Sequence, residues 1–95
     1  MTVPSFTEPR PEVAYRITAG ADVMYAEYCK GASIPVHNPE LGKPMSFRRI
    51  DLQTRNYFPL YQGKRGEFYD DNGIEIDITE ATPKEIRDLR YPPSL

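Results

Sequence analysis

The run Ile74-Glu75-Ile76-Asp77-Ile78 constrains this chain more than any other. β-Branched apolar residues alternating with acids give one oily and one acidic face only at a period of two, so the segment reads as a half-buried strand. Directly before it, Phe68-Tyr69 runs into Asp70-Asp71-Asn72-Gly73. Asn and Gly tolerate the positive φ angles that a tight turn demands, so the two segments form a β-hairpin. Loop length decides the facing: a two-residue turn sets Tyr69 opposite Ile76, whereas a three-residue loop with a bulge sets Phe68 there. Next, Thr82-Pro83-Lys84-Glu85 has the spacing of a capping box, with Pro83 at the first helical position and Ile86 and Leu89 on one face. The spacing predicts a helix over 83–91, stopped by Pro92-Pro93.

Elsewhere the patterning is weaker. Residues 1–12 carry three prolines and two sizeable apolar side chains, Val3 and Phe6, and read as an extended arm able to lie on a neighbour. Val13, Tyr15 and Ile17 share one side of a strand over 13–18. After the break at Ala19-Gly20-Ala21, Asp22 can cap a helix through Lys30 with Gly31 as its stop, and this is the expectation for 22–30. A strand pairing back on the first is its rival, because Val23, Tyr25 and Tyr28 suit one. Gly31 to Pro44, dense in Pro and Gly, is a surface loop. Strands follow over 46–52 and 57–61, the second at an edge because Pro59 lacks a ladder donor.

The expected fold class is therefore α+β: a small antiparallel sheet of about four or five strands (13–18, 46–52, 57–61, 67–71, 74–78) with a short C-terminal helix packed on it. The domain is 13–91, flanked by the arm 1–12 and a tail 92–95. Its expected core is Val13, Tyr15, Ile17, Ile50, Leu52, Leu60, Ile74, Ile76, Ile78, Ile86 and Leu89. A chain of 95 residues holds one modest core and no separate catalytic domain.

Charge is where functional candidates arise. The net charge is only −2 with a pI near 5.3, which excludes a global attraction to nucleic acid or anionic membrane. Yet 43–66 holds six bases and one acid, whereas 67–95 holds eight acids and three bases. Arg48, Arg49, Arg55, Lys64 and Arg65, interleaved with Tyr57, Phe58 and Tyr61, form a basic and aromatic segment of the kind that grips phosphates and stacks on unpaired bases. Tyr and Arg are also the residues enriched where proteins meet. Arg48, Arg49, Arg55, Tyr57, Tyr61, Lys64 and Arg65 are thus the partner-binding candidates. The leading expectation is a non-catalytic accessory protein that binds another protein or a second copy of itself, and the alternative is a single-stranded nucleic-acid binder using 43–66.

Other chemistry finds little support. Were Gly73 the sixth position of a calcium loop, the first and twelfth would fall on Phe68 and Thr79, neither a carboxylate. Cys29 and His37, the only residues of their kinds, cannot supply a four-ligand zinc site. They form a nucleophile–base pair only on paper, since no orienting motif surrounds them. No phosphate-cradling or nucleophile-elbow motif occurs. No enzyme activity, cofactor or metal is expected. The lone cysteine, the lack of a signal-peptide pattern and the lack of an apolar run of spanning length read as a cytoplasmic protein without membrane contact.

Overall fold

A computed structural model describes residues 8–52 and 56–90, with the side chain of Arg90 excepted. The hairpin expected at 67–78 is present. β1 (Ala14–Ala19) turns through Gly20-Ala21 into β2 (Asp22–Tyr28), and β3 (Lys43–Arg49) is followed by β4 (Tyr57–Gln62). β5 (Phe68–Tyr69) turns into β6 (Glu75–Glu80), and α1 (Pro83–Arg90) follows. Each strand pairs antiparallel with the next, and β6 pairs with β1, so six strands close into a barrel. Followed round all its ladders, the register returns about ten residues out of step, which tilts the strands steeply. Closure removes the exposed edges that an open sheet of four or five strands would keep.

The additional strand is β2, where a helix was expected. Met24, Ala26 and Tyr28 point into the barrel, but Val23 and Tyr25 on the opposite face are apolar as well, and this hid the period of two. Tertiary pairing decides the matter: Ala14–Ala19 lies against one side of β2 and Phe47–Arg49 against the other.

The interior holds Tyr15, Ile17, Ala26, Met45, Phe47, Leu60, Phe68, Ile76 and Ile78, with Val13, Met24, Tyr28 and Phe58 packed against them. The Tyr28, Phe47 and Phe58 rings stack in a tilted row, with centroids 5.5 and 6.2 Å apart. The hairpin loop has three residues: Phe68 faces Ile76, the Asp70 amide donates to the Ile74 carbonyl at 2.9 Å, and Gly73 takes φ +83°. Ile74 thereby leaves the core and stands 56% exposed. Leu52, also expected inside, is 60% exposed, because β3 ends at Arg49 and its inward residues are Met45 and Phe47, not the even-numbered set. Ile50, Ile86 and Leu89 are half-buried on the outside of the barrel.

Pro59 falls where its missing donor is harmless. The Ser46 carbonyl accepts from the Cys29 amide, so Ser46 faces β2 and its pair with Pro59 lacks ladder bonds. The nitrogen of Pro59 therefore points towards β5, whose two residues reach only Tyr61 and Gln62. Of the expected arm, residues 1–7 lie outside the described chain. Pro9 is buried, and the Arg10 amide donates to the Tyr15 hydroxyl at 2.7 Å.

Candidate interaction surface

Among the described residues, the bases of 43–66 divide between the β3 arginines, which meet carboxylates, and Lys43, Lys64 and Arg65 around the β4–β5 turn. Arg48 projects outward from β3 and pairs with Glu27 across the ladder on β2. Arg49 lies on the inward side of the same strand at the barrel mouth. It donates twice to Asp51, at 2.9 Å each, and the second oxygen of Asp51 also accepts the Tyr25 amide at 3.2 Å. Burial works to raise the Asp51 carboxyl, but these donors outweigh it and hold the group below the usual carboxylate range. Arg65 stands 3.8 Å from Glu67. Arg55 lies outside the described residues, and Lys64 is exposed on the β4–β5 turn.

Glu67 determines the chemistry of that turn. Its carboxylate is buried above Gly63, accepts the Arg65 amide at 2.9 Å and the Tyr69 hydroxyl at 2.9 Å, and is held below its usual range by its own amide and by Tyr69. A Cβ at Gly63 would sit 2.5 Å from it. The amide that a phosphate would seek between Lys64 and Glu67 is thus engaged by an internal anion. The recess beside it, about 860 Å³, carries both signs: Lys43, Lys64 and Arg65 against Glu40 and Glu67.

The aromatic candidates separate. Tyr57 is 43% exposed on the outer face of β4. Tyr61 is fully buried outside the barrel wall, beneath the loop entering β3. Its hydroxyl accepts the His37 and Asn38 amides at 3.2 and 3.3 Å and donates to Asp71 at 2.7 Å. Burial, and then Asp71, push its pKa up. The steep tilt brings the β5–β6 turn alongside this loop, where Asn38 also donates to the Asp71 carbonyl. Tyr61 is a structural pin with no ring face left for a partner.

Exposed apolar groups stand on other elements. Of five exposed large hydrophobic residues among those described, Val23 (50%), Leu52 and Tyr57 lie on β2, in the β3–β4 connection and on β4. Leu52, expected in the core, and Val23, in the segment expected to be helical, both stand on the outside.

Helix α1 is tied to the neighbouring outer face through its first turn. Its capping box forms as expected: the Thr82 amide donates to Glu85 at 2.9 Å, and the Glu85 amide to the Thr82 hydroxyl at 3.2 Å. Glu85 also accepts the Tyr25 hydroxyl at 2.5 Å and lies 3.3 Å from Arg16, fastening the helix to β1 and β2. The Thr82 amide and then Tyr25 bring its pKa down to about 2.

Other candidates have structural roles. The acidic hairpin tip uses its charge internally, Asp70 accepting the Asn72 and Ile74 amides at 2.9 Å each. Burial raises the Cys29 thiol, and the His37 amide serves Tyr61. Among the described residues no group of three His, Cys, Asp or Glu side chains could hold a metal ion, and no helix is long and apolar enough to cross a membrane. Fold and surface together define a small six-stranded antiparallel barrel with an appended C-terminal helix. The chain matches no family model, no curated protein and no solved structure.

Proposed function

We propose that this barrel is a non-catalytic binding module whose partner is another protein or a second copy of itself, docked on the outer surface around the β3–β4 connection. One observation carries the reading: Val23, Leu52 and Tyr57 are left facing water, and Tyr57 pairs across the ladder with Arg48, whose charge is matched by Glu27. An apolar and aromatic centre with locally neutralised charge around it suits a protein interface better than a phosphate backbone. The same pairing argues against single-stranded nucleic acid, which would compete with Glu27, Asp51 and Glu67 for Arg48, Arg49 and Arg65.

The test is a pair of surface changes, Leu52→Asp and Tyr57→Ser, made together. Wild-type protein is expected to self-associate in light scattering or to recover a protein from its native lysate, and the double variant to lose that association with its fold intact. A wild-type chain that is monomeric at high concentration and captures nothing beyond what the double variant captures would overturn the reading.

A further inference from the structure

Between α1 and the outside of β1–β2–β3 lies a cavity of about 260 Å³. Its walls are apolar: Ala14 on β1, Ile50 just past β3, and Ile86 and Leu89 on the helix. Its remaining lining is charged, with Glu12 together with the ion-paired Glu27 and Arg48. Glu12 is exposed and has no ion-pair partner among the described residues. The lining therefore carries one negative charge in excess. Drug-sized ligands and cofactors fill pockets of about 300–1,000 Å³, so this space suits a single long side chain better than a whole cofactor.

We infer that this groove is a socket for one lysine or arginine side chain of the protein partner, its methylene stem between Ile50, Ile86 and Leu89 and its cationic head at Glu12. The inference rests on the partner-binding reading and names the chemistry that the partner presents. Long basic side chains combine the two properties the groove asks for: a stem that lies along apolar surface, and a charge kept at the wet mouth. Charge complementarity selects the occupant. An acid would meet Glu12 while the cation in the lining, Arg48, is already engaged by Glu27, and an aliphatic residue would leave the excess charge at the mouth unanswered. The helix forms one wall without filling the space because Glu85, one turn ahead of Leu89, fixes it to Tyr25 and Arg16.

The test uses the bare side chains as probes on the full chain: n-butylammonium for lysine and n-propylguanidinium for arginine, followed by methyl NMR. Butyrate supplies a short tail with the opposite charge. Both cations are expected to shift the Ile50, Ile86 and Leu89 methyls saturably in the millimolar range, and butyrate is expected not to. Glu12→Gln is expected to weaken the cations roughly three-fold, the scale of an exposed ion pair. Ala14→Leu, which fills the socket from β1, is expected to abolish the response with the remaining spectrum unchanged. Absence of any saturable shift in wild type, equal response to butyrate, or full binding in Ala14→Leu would overturn the inference. Its failure is distinct from that of the parent reading. Leu52→Asp with Tyr57→Ser probes partner capture and leaves the socket lining untouched, so capture can persist without a socket, and the socket can bind its probes where capture fails.

Discussion

Tyr61 shows how far a residue's chemistry depends on its address. Its sequence neighbourhood, Tyr57-Phe58-Pro59-Leu60-Tyr61 beside five bases, suggests a stacking platform. Strand parity sends it to the outer face, where the loop carrying His37 and Asn38 closes over it. No local signal announces that closure, because it depends on barrel tilt and loop path. Tyr61→Phe should therefore destabilise the fold while leaving partner capture unchanged. Two amides lose their acceptor and Asp71 loses a donor, which costs about 1–3 kcal/mol, towards the lower end because the exposed His37 can turn its amide to water. Urea unfolding with an unchanged m-value measures this, and an unaltered midpoint would count against the structural role.

At the scale of elements, legibility followed the strength of local rules. The hairpin and capping box were readable because φ-permissive turn residues and helix caps are decided within a few positions. β2 was not, since both its faces are apolar, and neither was the inward face of β3. There Arg49 occupies an inward position that is tolerable only because Asp51 meets it. Closure was invisible because β6 meets β1 from the far end of the chain. Two glycines test the turns. Gly73→Ala forces φ +83° on a residue with a Cβ, whose nearest neighbour would be Leu41 at 3.6 Å, an ordinary contact. It should cost about 1–2 kcal/mol. Gly42→Ala would bring its Cβ to 2.3 Å from the Gln62 carbonyl oxygen, so the β3–β4 ladder must shift. It should be distinctly more destabilising in the same urea measurement, and equal effects would contradict the close approach.

The helix carries its own pH signature. Glu85 has a folded pKa of about 2 against an ordinary 4.5. A carboxylate depressed on folding contributes fully above its ordinary pKa and loses that contribution as pH falls towards its folded one. Attachment of α1 should hence weaken between about pH 4.5 and 2. The NMR shifts of the Tyr25 ring and of the α1 backbone should report it, with wild type moving towards the values of a detached helix as acid is added. Glu85→Gln keeps a cap-competent side chain at that position and should remove this part of the acid response. An identical acid transition in that variant would assign it to other carboxylates.

For the whole molecule, what matters is that charges segregated along the sequence are mixed in space. Residues 43–66 are strongly basic as a string, yet Glu27 from β2, Asp51 at the hairpin and Glu67 from the next turn reach Arg48, Arg49 and Arg65. Antiparallel pairing supplies Glu27 from a distant segment, and Asp51 and Glu67 each lie two residues from the arginine they meet, so a linear charge block need not survive as a surface field. The consequence is measurable in salt. A protein that neutralises Z phosphates of a single strand loses affinity with a log–log slope of about −0.7Z, so five bases acting together would give roughly −3.5. With three of them engaged internally, binding to an oligothymidine should be weak and its slope no steeper than about −1.4. Arg48→Glu with Arg49→Glu should change it little while loosening the barrel mouth. A steep wild-type slope that this double change flattens would mean the arginines exchange their internal carboxylates for phosphates. The basic segment would then be a latent nucleic-acid surface, and Glu27 and Asp51 the groups that hold it closed.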